Sequence, residues 1–258
     1  MPAPHPGAAL LSAARSALAD AWALVAPVDC AGCGAPDRAL CPACTHAVQP
    51  SPRHALLALH DGAPPVPVVA GLAYTGVARA ALLALKSDGR TELARPLAGA
   101  LRAAVERAWP PGGAELLVPV PGSRTGTAAR GFGPAALLAR QAGLATTAGL
   151  RTVDAGPQQK GRGLAARLAA EHPRFVARPR VRGARVVLVD DVITSGATLR
   201  AAARALRAGG AEVVACAALA ATPRRVGASS IPWRSIAAND ERPGDNVARE
   251  GYREGKEA

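Results

Sequence analysis

Between residues 66 and 222, short apolar runs alternate with longer amphipathic stretches. The runs VPVVAGLAY, AELLVPVP, GLRTV, RVVLVDD and AEVVACAALA are built from Val, Leu and Ala. Runs so short and so continuously apolar read as strands buried on both faces. Between them, residues near 77–86, 91–109, 133–142, 163–170 and 197–208 carry helical spacing. Strands alternating with helices of this length predict an α/β fold, with a parallel sheet and helices on both faces.

The flanks break this pattern. Residues 1–9 are Pro, Ala and Gly, and residues 10–25 read as an amphipathic helix ended by Pro27. The expected organisation is an N-terminal helix region (1–27), a cysteine-bearing module (28–50), a Pro-rich linker (51–65), the α/β domain (66–222) and a tail (223–258). The tail is polar and punctuated by Pro and Gly, which predicts disorder, with Trp233 either a weak docking point or exposed to solvent.

Aromatic residues make up 3% of the 258 residues against 49% hydrophobic ones, so the core must be made of Ala, Val and Leu. The formal net charge is +12, and among the basic residues only Lys86, Lys160 and Lys256 are lysines. That bias, with abundant Ala, Gly and Pro, resembles a GC-rich coding preference. Residues 124–185 hold twelve basic groups against Asp154 and Glu171. A basic face there suits phosphates or nucleic acid, and a solvated Arg-rich surface is the other reading. No segment reaches the roughly 18 apolar residues of a membrane span. The most apolar stretch, ALLSAARSALADAWALVAP, carries Arg15 and Asp20. A cytoplasmic location is the expectation.

The segment VVLVDDVITSGATLR carries the chemistry. Four apolar residues form the end of a buried strand, and Asp190 and Asp191 follow at its carboxyl end, where open α/β sheets bind ligands. TSGAT is then the turn into a helix near Ala197, with Gly196 allowing a close backbone approach. The amides of residues 194–198 and the hydroxyls of Thr194, Ser195 and Thr198 surround one anion at the helix start. A ribose 5-phosphate satisfies both features: its phosphate sits in the loop and its hydroxyls donate to the aspartates. Neither a P-loop nor a G-x-G-x-x-G fingerprint is present.

A second constellation lies upstream. Cys30, Cys33, Cys41 and Cys44 are spaced C-x2-C-x7-C-x2-C. Two such knuckles close a tetrahedral Zn²⁺ site. Four free thiols are the alternative, and a disulfide suits a reducing compartment poorly. Cys216, in VVACAALA, reads as a core residue. His46, His54, His60 and His172 show no ligand spacing with the cysteines.

VVLVDDVITSGAT resembles the 5-phosphoribosyl-1-pyrophosphate (PRPP) motif of type I phosphoribosyltransferases. The resemblance implies their fold: a five-stranded parallel, Rossmann-like sheet, a flexible hood, and Mg²⁺ bound with the pyrophosphate of PRPP. With a four-cysteine, zinc-ribbon-like module ahead of it, the chain is similar to the ComF (ComF/GntX) family over about residues 20–222. Tyr74, Gly76 and Lys86 match that family, as do Pro119, Pro121, Arg130, Gly131 and Phe132. Gln159, Leu164, Arg167 and Phe175 match its hood. Gly133 stands where the family usually has Asn.

On this resemblance Asp190 and Asp191 are the catalytic pair, and Thr194, Ser195, Gly196, Ala197 and Thr198 hold the phosphate. Arg124 and Arg130, placed in a loop after LVPVP, are candidates for the pyrophosphate. Lys86 either joins them or sits at a helix end on the surface; Tyr74 either stacks on a base or packs at a strand end. Three functions stay open. One is a phosphoribosyltransferase acting on an unidentified acceptor base. Another is a competence protein that handles single-stranded DNA beside DNA-uptake proteins, its PRPP pocket regulatory or vestigial. The third is a PRPP-sensing regulator. The scarcity of aromatics in the basic region, Phe132 and Phe175 alone, argues against stacking-based strand binding.

Overall fold

A computed structural model describes residues 28–59, 64–153, 174–223 and 233–235 of the chain. The expected helices at 10–25 and 163–170, and the matches at Gln159, Leu164 and Arg167, lie outside these residues.

The central sheet has six strands in the order β3-β6-β7-β2-β1-β8. β2 (Val66–Ala73), β3 (Leu116–Pro119), β6 (Arg185–Ile193) and β7 (Glu212–Ala221) run parallel. β1 (Arg53–Leu57) lies antiparallel to β2, and β8 (Arg234–Ser235) antiparallel to β1. Two expectations are corrected here. Residues 53–57 are not linker: RHALL lies between prolines but alternates, and Ala55 and Leu57 are buried. Residues 233–235 of the tail are not structureless: they carry β8, and of the two readings of Trp233 the docking one holds, since it packs against the core.

A third correction concerns GLRTV. It does not join the parallel sheet; β4 (Leu150–Val153) pairs antiparallel with β5 (Arg174–Ala177) in a separate two-stranded sheet. The reason is polarity. Only Leu150 of β4 is buried, whereas β7 is buried continuously from Ala215 to Ala221. A half-exposed strand cannot occupy a position covered on both faces. The parallel sheet therefore has four strands among the described residues, not five.

Helices cover both faces. α2 (Gly76–Ser87), α3 (Ala94–Ala108) and α5 (Pro134–Gln141) pack on one, against Val187, Val189, Ala217 and Leu219. α6 (Ala197–Ala208) and the β4–β5 pair pack on the other, against Val186, Leu188, Cys216 and Ala218. The period-2 alternation of the strands thus builds two cores from one sheet. Small residues let the layers approach: a Cβ on Gly71 of β2 would collide with the Ala100 carbonyl of α3. This is how a chain with few aromatics reaches a dense interior.

The cysteine module holds a short helix, α1 (Pro42–Ala47), capped by Cys41. It docks on the α2 face of the core. Val48 is buried there, with Ala31, Ala39 and Leu40 packed alongside.

Candidate functional site

β3 ends beside the middle of β6, with Pro119 paired to Val189 and β6 running on to Ile193. Beyond them the chain opens a cavity of about 390 Å³. It is lined by the 120–123 loop, Asp190 to Val192, Thr194 and Thr198, together with Tyr74, Lys86, Arg130, Pro134 and Ala135. This is the carboxyl end of the parallel strands, where the sequence located it.

The two aspartates differ. Strand alternation sends Asp190 toward the α6 side, where it is 9% exposed. Its Oδ1 accepts from the Asp191 amide at 2.8 Å. Burial pushes its carboxyl up to about 7, and the Asp191 charge adds to that rise; the amide bond and Lys86 act against it. Asp191 faces the α2 side and pairs with Lys86 Nζ at 2.8 Å. Lys86 is therefore a member of the cavity rather than a surface lysine. Behind Asp190, burial pushes the Cys216 thiol up as well, which keeps it protonated and inert.

The turn after β6 starts α6. Gly196 has φ +75° at the helix N-cap, a left-handed conformation that explains the glycine. Thr194 and Thr198 line the cavity. Ser195, Gly196 and Ala197 form the turn itself: Ser195 Oγ accepts from the Ala197 amide at 3.4 Å, and the Ser195 carbonyl accepts from Arg200 Nη1 at 2.7 Å. The amides at the start of a three-turn helix next to two hydroxyls suit a phosphate.

The segment after β3 is not the open loop expected. Residues 124–130 form a helix, α4 (Arg124–Arg130), capped by Ser123, whose Oγ accepts from the Gly126 amide at 3.1 Å. The helix separates the two arginines. Arg130, in its last turn, lines the cavity; Arg124, in its first, is exposed and does not. Arg130 Nη1 donates to the Lys86 carbonyl at 3.3 Å, while its Nε is buried without a partner. A buried donor with nothing to bond is costly, and an anion in the cavity would satisfy it. Gly126 makes room for this guanidinium: a Cβ there would lie 2.7 Å from Arg130 Nη2. Thr152 Oγ1 of β4 donates to the Gly122 carbonyl at 2.9 Å and steadies the loop.

Sequence reasoning missed Gly122, Ser123 and Gly126 as site residues. The available signal was the serine before a short polar run, an N-cap position. Tyr74 lies in the cavity wall and also packs against the core.

The cysteines converge. The Sγ atoms of Cys30, Cys33, Cys41 and Cys44 all lie within 4.8 Å of one another, and those of Cys33 and Cys41 are 3.6 Å apart. Zinc–sulfur bonds of about 2.3 Å in a tetrahedron give edges of about 3.8 Å, so the donor set fits Zn²⁺. Burial works against ionising Cys30, yet the amides of Cys41, Cys33 and Gly32 outweigh it and bring the thiol down to about 6. Among the described residues no other cluster of three or more potential ligands occurs, and no helix is long and apolar enough to cross a membrane.

A family model described as "Phosphoribosyl transferase domain" matches residues 126–250. The match begins inside α4, takes in β6 and α6, and runs past Thr222 into the segment expected to be a tail. Among solved structures, one described as the allosteric regulatory enzyme of purine biosynthesis is similar at 22% identity, with a TM-score of 0.35. The alignment covers 61% of this chain and 33% of that one, so the chain spans about a third of its length. No curated protein matches the chain.

Proposed function

We propose that the chain is a phosphoribosyltransferase-like protein that binds PRPP in the crevice above β3 and β6, a reading supported by the family model that matches residues 126–250. In this reading it transfers the phosphoribosyl group to an acceptor base with release of pyrophosphate. The carrying observation is a single cavity lined by Asp190, Asp191, Thr194 and Thr198 together with Lys86 and Arg130. Carboxylates, hydroxyls and cations around one space suit a ligand that carries both hydroxyls and phosphates.

The roles follow from the chemistry. As pyrophosphate leaves, C1 of the ribose gains positive charge, and the protein must hold the ring and receive the leaving group. The α6 N-terminus with Thr194 and Thr198 holds the 5-phosphate, a point fixed by backbone amides. Asp190 and Asp191 accept the ribose hydroxyls. Asp191 exchanges its partner, Lys86, for the ring, and Lys86 turns with Arg130 toward the pyrophosphate. Arg suits a bidentate oxygen pair. Bound together with the pyrophosphate, Mg²⁺ would supply further neutralisation of the leaving group. Tyr74 offers the acceptor base a flat wall. Structural Zn²⁺ on the four cysteines, a cytoplasmic setting that keeps those thiols reduced, and kinship with the ComF family belong to the same proposal.

A second reading draws on the run Arg178, Arg180 and Arg182 after β5, all exposed. It is a single-stranded DNA handler in which the PRPP cavity is regulatory. Calorimetric titration with PRPP and Mg²⁺, beside a single-stranded oligonucleotide at two salt concentrations, separates the two. We expect Asp190→Asn with Asp191→Asn to weaken PRPP binding while the fold persists. Unchanged PRPP affinity in the double variant, with DNA affinity that falls steeply with salt, would turn the assignment to the second reading. A screen of bases with PRPP, read by pyrophosphate release, then names the acceptor.

A further inference from the structure

Helix α2 touches the cysteine module at both ends, and its last turn carries Lys86 into the cavity. At the first turn, a Cβ on Gly32 would lie 2.9 Å from Val77 Cγ1 and 2.6 Å from Cys44 Sγ, so knuckle and helix are in close contact. Just past the last turn, Arg90 Nη1 donates to the carbonyl of Asp29, the residue before Cys30, at 2.8 Å. The guanidinium is steadied by Glu92, which accepts from its Nε at 2.9 Å, and the side chain is 21% exposed. The Arg90 amide donates back to the Ala84 carbonyl at 3.3 Å, which joins this anchor to the helix end. Four residues before Arg90, Lys86 is gripped twice: Asp191 holds its Nζ and Arg130 its carbonyl. Arg90 itself does not line the cavity.

We propose that Arg90 is a positioning residue that couples the four-cysteine module to the cavity. By tying the end of α2 to Asp29, it holds Lys86 in reach of Asp191 and keeps the Lys86 carbonyl under Arg130. A lysine on a flexible stem presents a fixed charge only when its backbone is fixed. The metal-organised knuckle provides that fixed point, so the module sets the affinity of the cavity for the diphosphate end of a ligand. Linkage makes the effect reciprocal: a ligand in the cavity tightens the module's hold on its metal by the same factor. The inference rests on the PRPP reading for the identity of that ligand, but the coupling itself does not.

Two measurements on the full chain, purified with its metal, test it. The first needs no ligand. Amide hydrogen exchange is compared between the parent and Arg90→Ala, with zinc content measured in both. Faster exchange at residues 84–90, with α6 unchanged, is expected; a change confined to residues 28–48, or none, overturns the coupling. The second titrates PRPP with Mg²⁺. Arg90→Ala should weaken binding about tenfold, the scale of one charge-assisted hydrogen bond, and Arg90→Lys should restore part of it. In the Lys86→Ala background, Arg90→Ala should cost clearly less than in the parent, because only the hold on the residue-86 carbonyl under Arg130 is then left to lose. Losses that simply add would show that Arg90 only stabilises the fold. Should the parent fail to bind PRPP, the PRPP reading falls, and the exchange measurement still decides the coupling.

Discussion

Asp190 illustrates what one residue contributes. Its carboxyl is buried at a strand end, next to a second carboxylate, and sits at about 7. In an unfolded chain an aspartate ionises near 3.9. Between those values the folded state binds the proton more tightly. Stability from this group is therefore greatest below about pH 4 and is lost as pH rises toward 7. Asp190→Asn should flatten that slope and raise the melting temperature of the ligand-free protein at pH 8 more than at pH 5.5. Equal shifts at the two pH values would contradict the raised carboxyl. At Gly196 the constraint is the backbone, with φ +75°. A β-branched side chain there costs at least about 1–2 kcal/mol and disturbs the phosphate turn. Gly196→Val should weaken ribose 5-phosphate and PRPP alike, because both carry the 5-phosphate.

Elements decide which arginine matters. Helix α4 spans seven residues and places Arg124 and Arg130 at opposite ends, one outside the cavity and one in its wall. Arg130→Ala should weaken PRPP roughly tenfold to a hundredfold and leave ribose 5-phosphate nearly unchanged, since only PRPP carries the pyrophosphate. Arg124→Ala should do neither. Ser123→Ala removes the α4 N-cap at a cost of about 1 kcal/mol, and its effect should appear as a weaker preference for PRPP over ribose 5-phosphate. The same two ligands, titrated in parallel, check all three variants. The strands teach a related point. RVVLVDD and AEVVACAALA are legible as central strands because their middles, Val186–Val189 and Val213–Ala220, are continuously apolar. GLRTV and RHALL carry too few apolar residues to declare their place, and burial against neighbours assigns one to a separate sheet and the other to an antiparallel position between β2 and β8.

On the scale of the molecule, the cysteine module and the α/β domain share a core, through Val48, Ala31, Ala39 and Leu40. Structural zinc sites supply roughly 10–16 kcal/mol of apparent binding free energy at neutral pH. Cys41→Ser should therefore lower the main thermal transition itself, rather than melt a separate knuckle and leave residues 66–222 untouched. Calorimetry resolves the two outcomes: one lowered transition is expected, and an unshifted main peak with a small early one would mean the module is independent.

The sequence alone determined the features that depend on near neighbours. Strand–helix alternation follows from local periodicity, the anion turn from one glycine among small hydroxyl residues, and the four-cysteine site from two knuckles seven residues apart. Each is written within a short stretch of chain. What tertiary structure decided lies between distant positions. Lys86 meets Asp191 across 105 residues, Arg130 reaches the Lys86 carbonyl, and Arg90 grips Asp29 across 61. No periodicity encodes those pairs, because they depend on where whole elements settle once their apolar faces are buried. The Ala-rich interior lets α2, α3 and the sheet approach closely, and that approach brings a lysine, two aspartates and an arginine around one cavity.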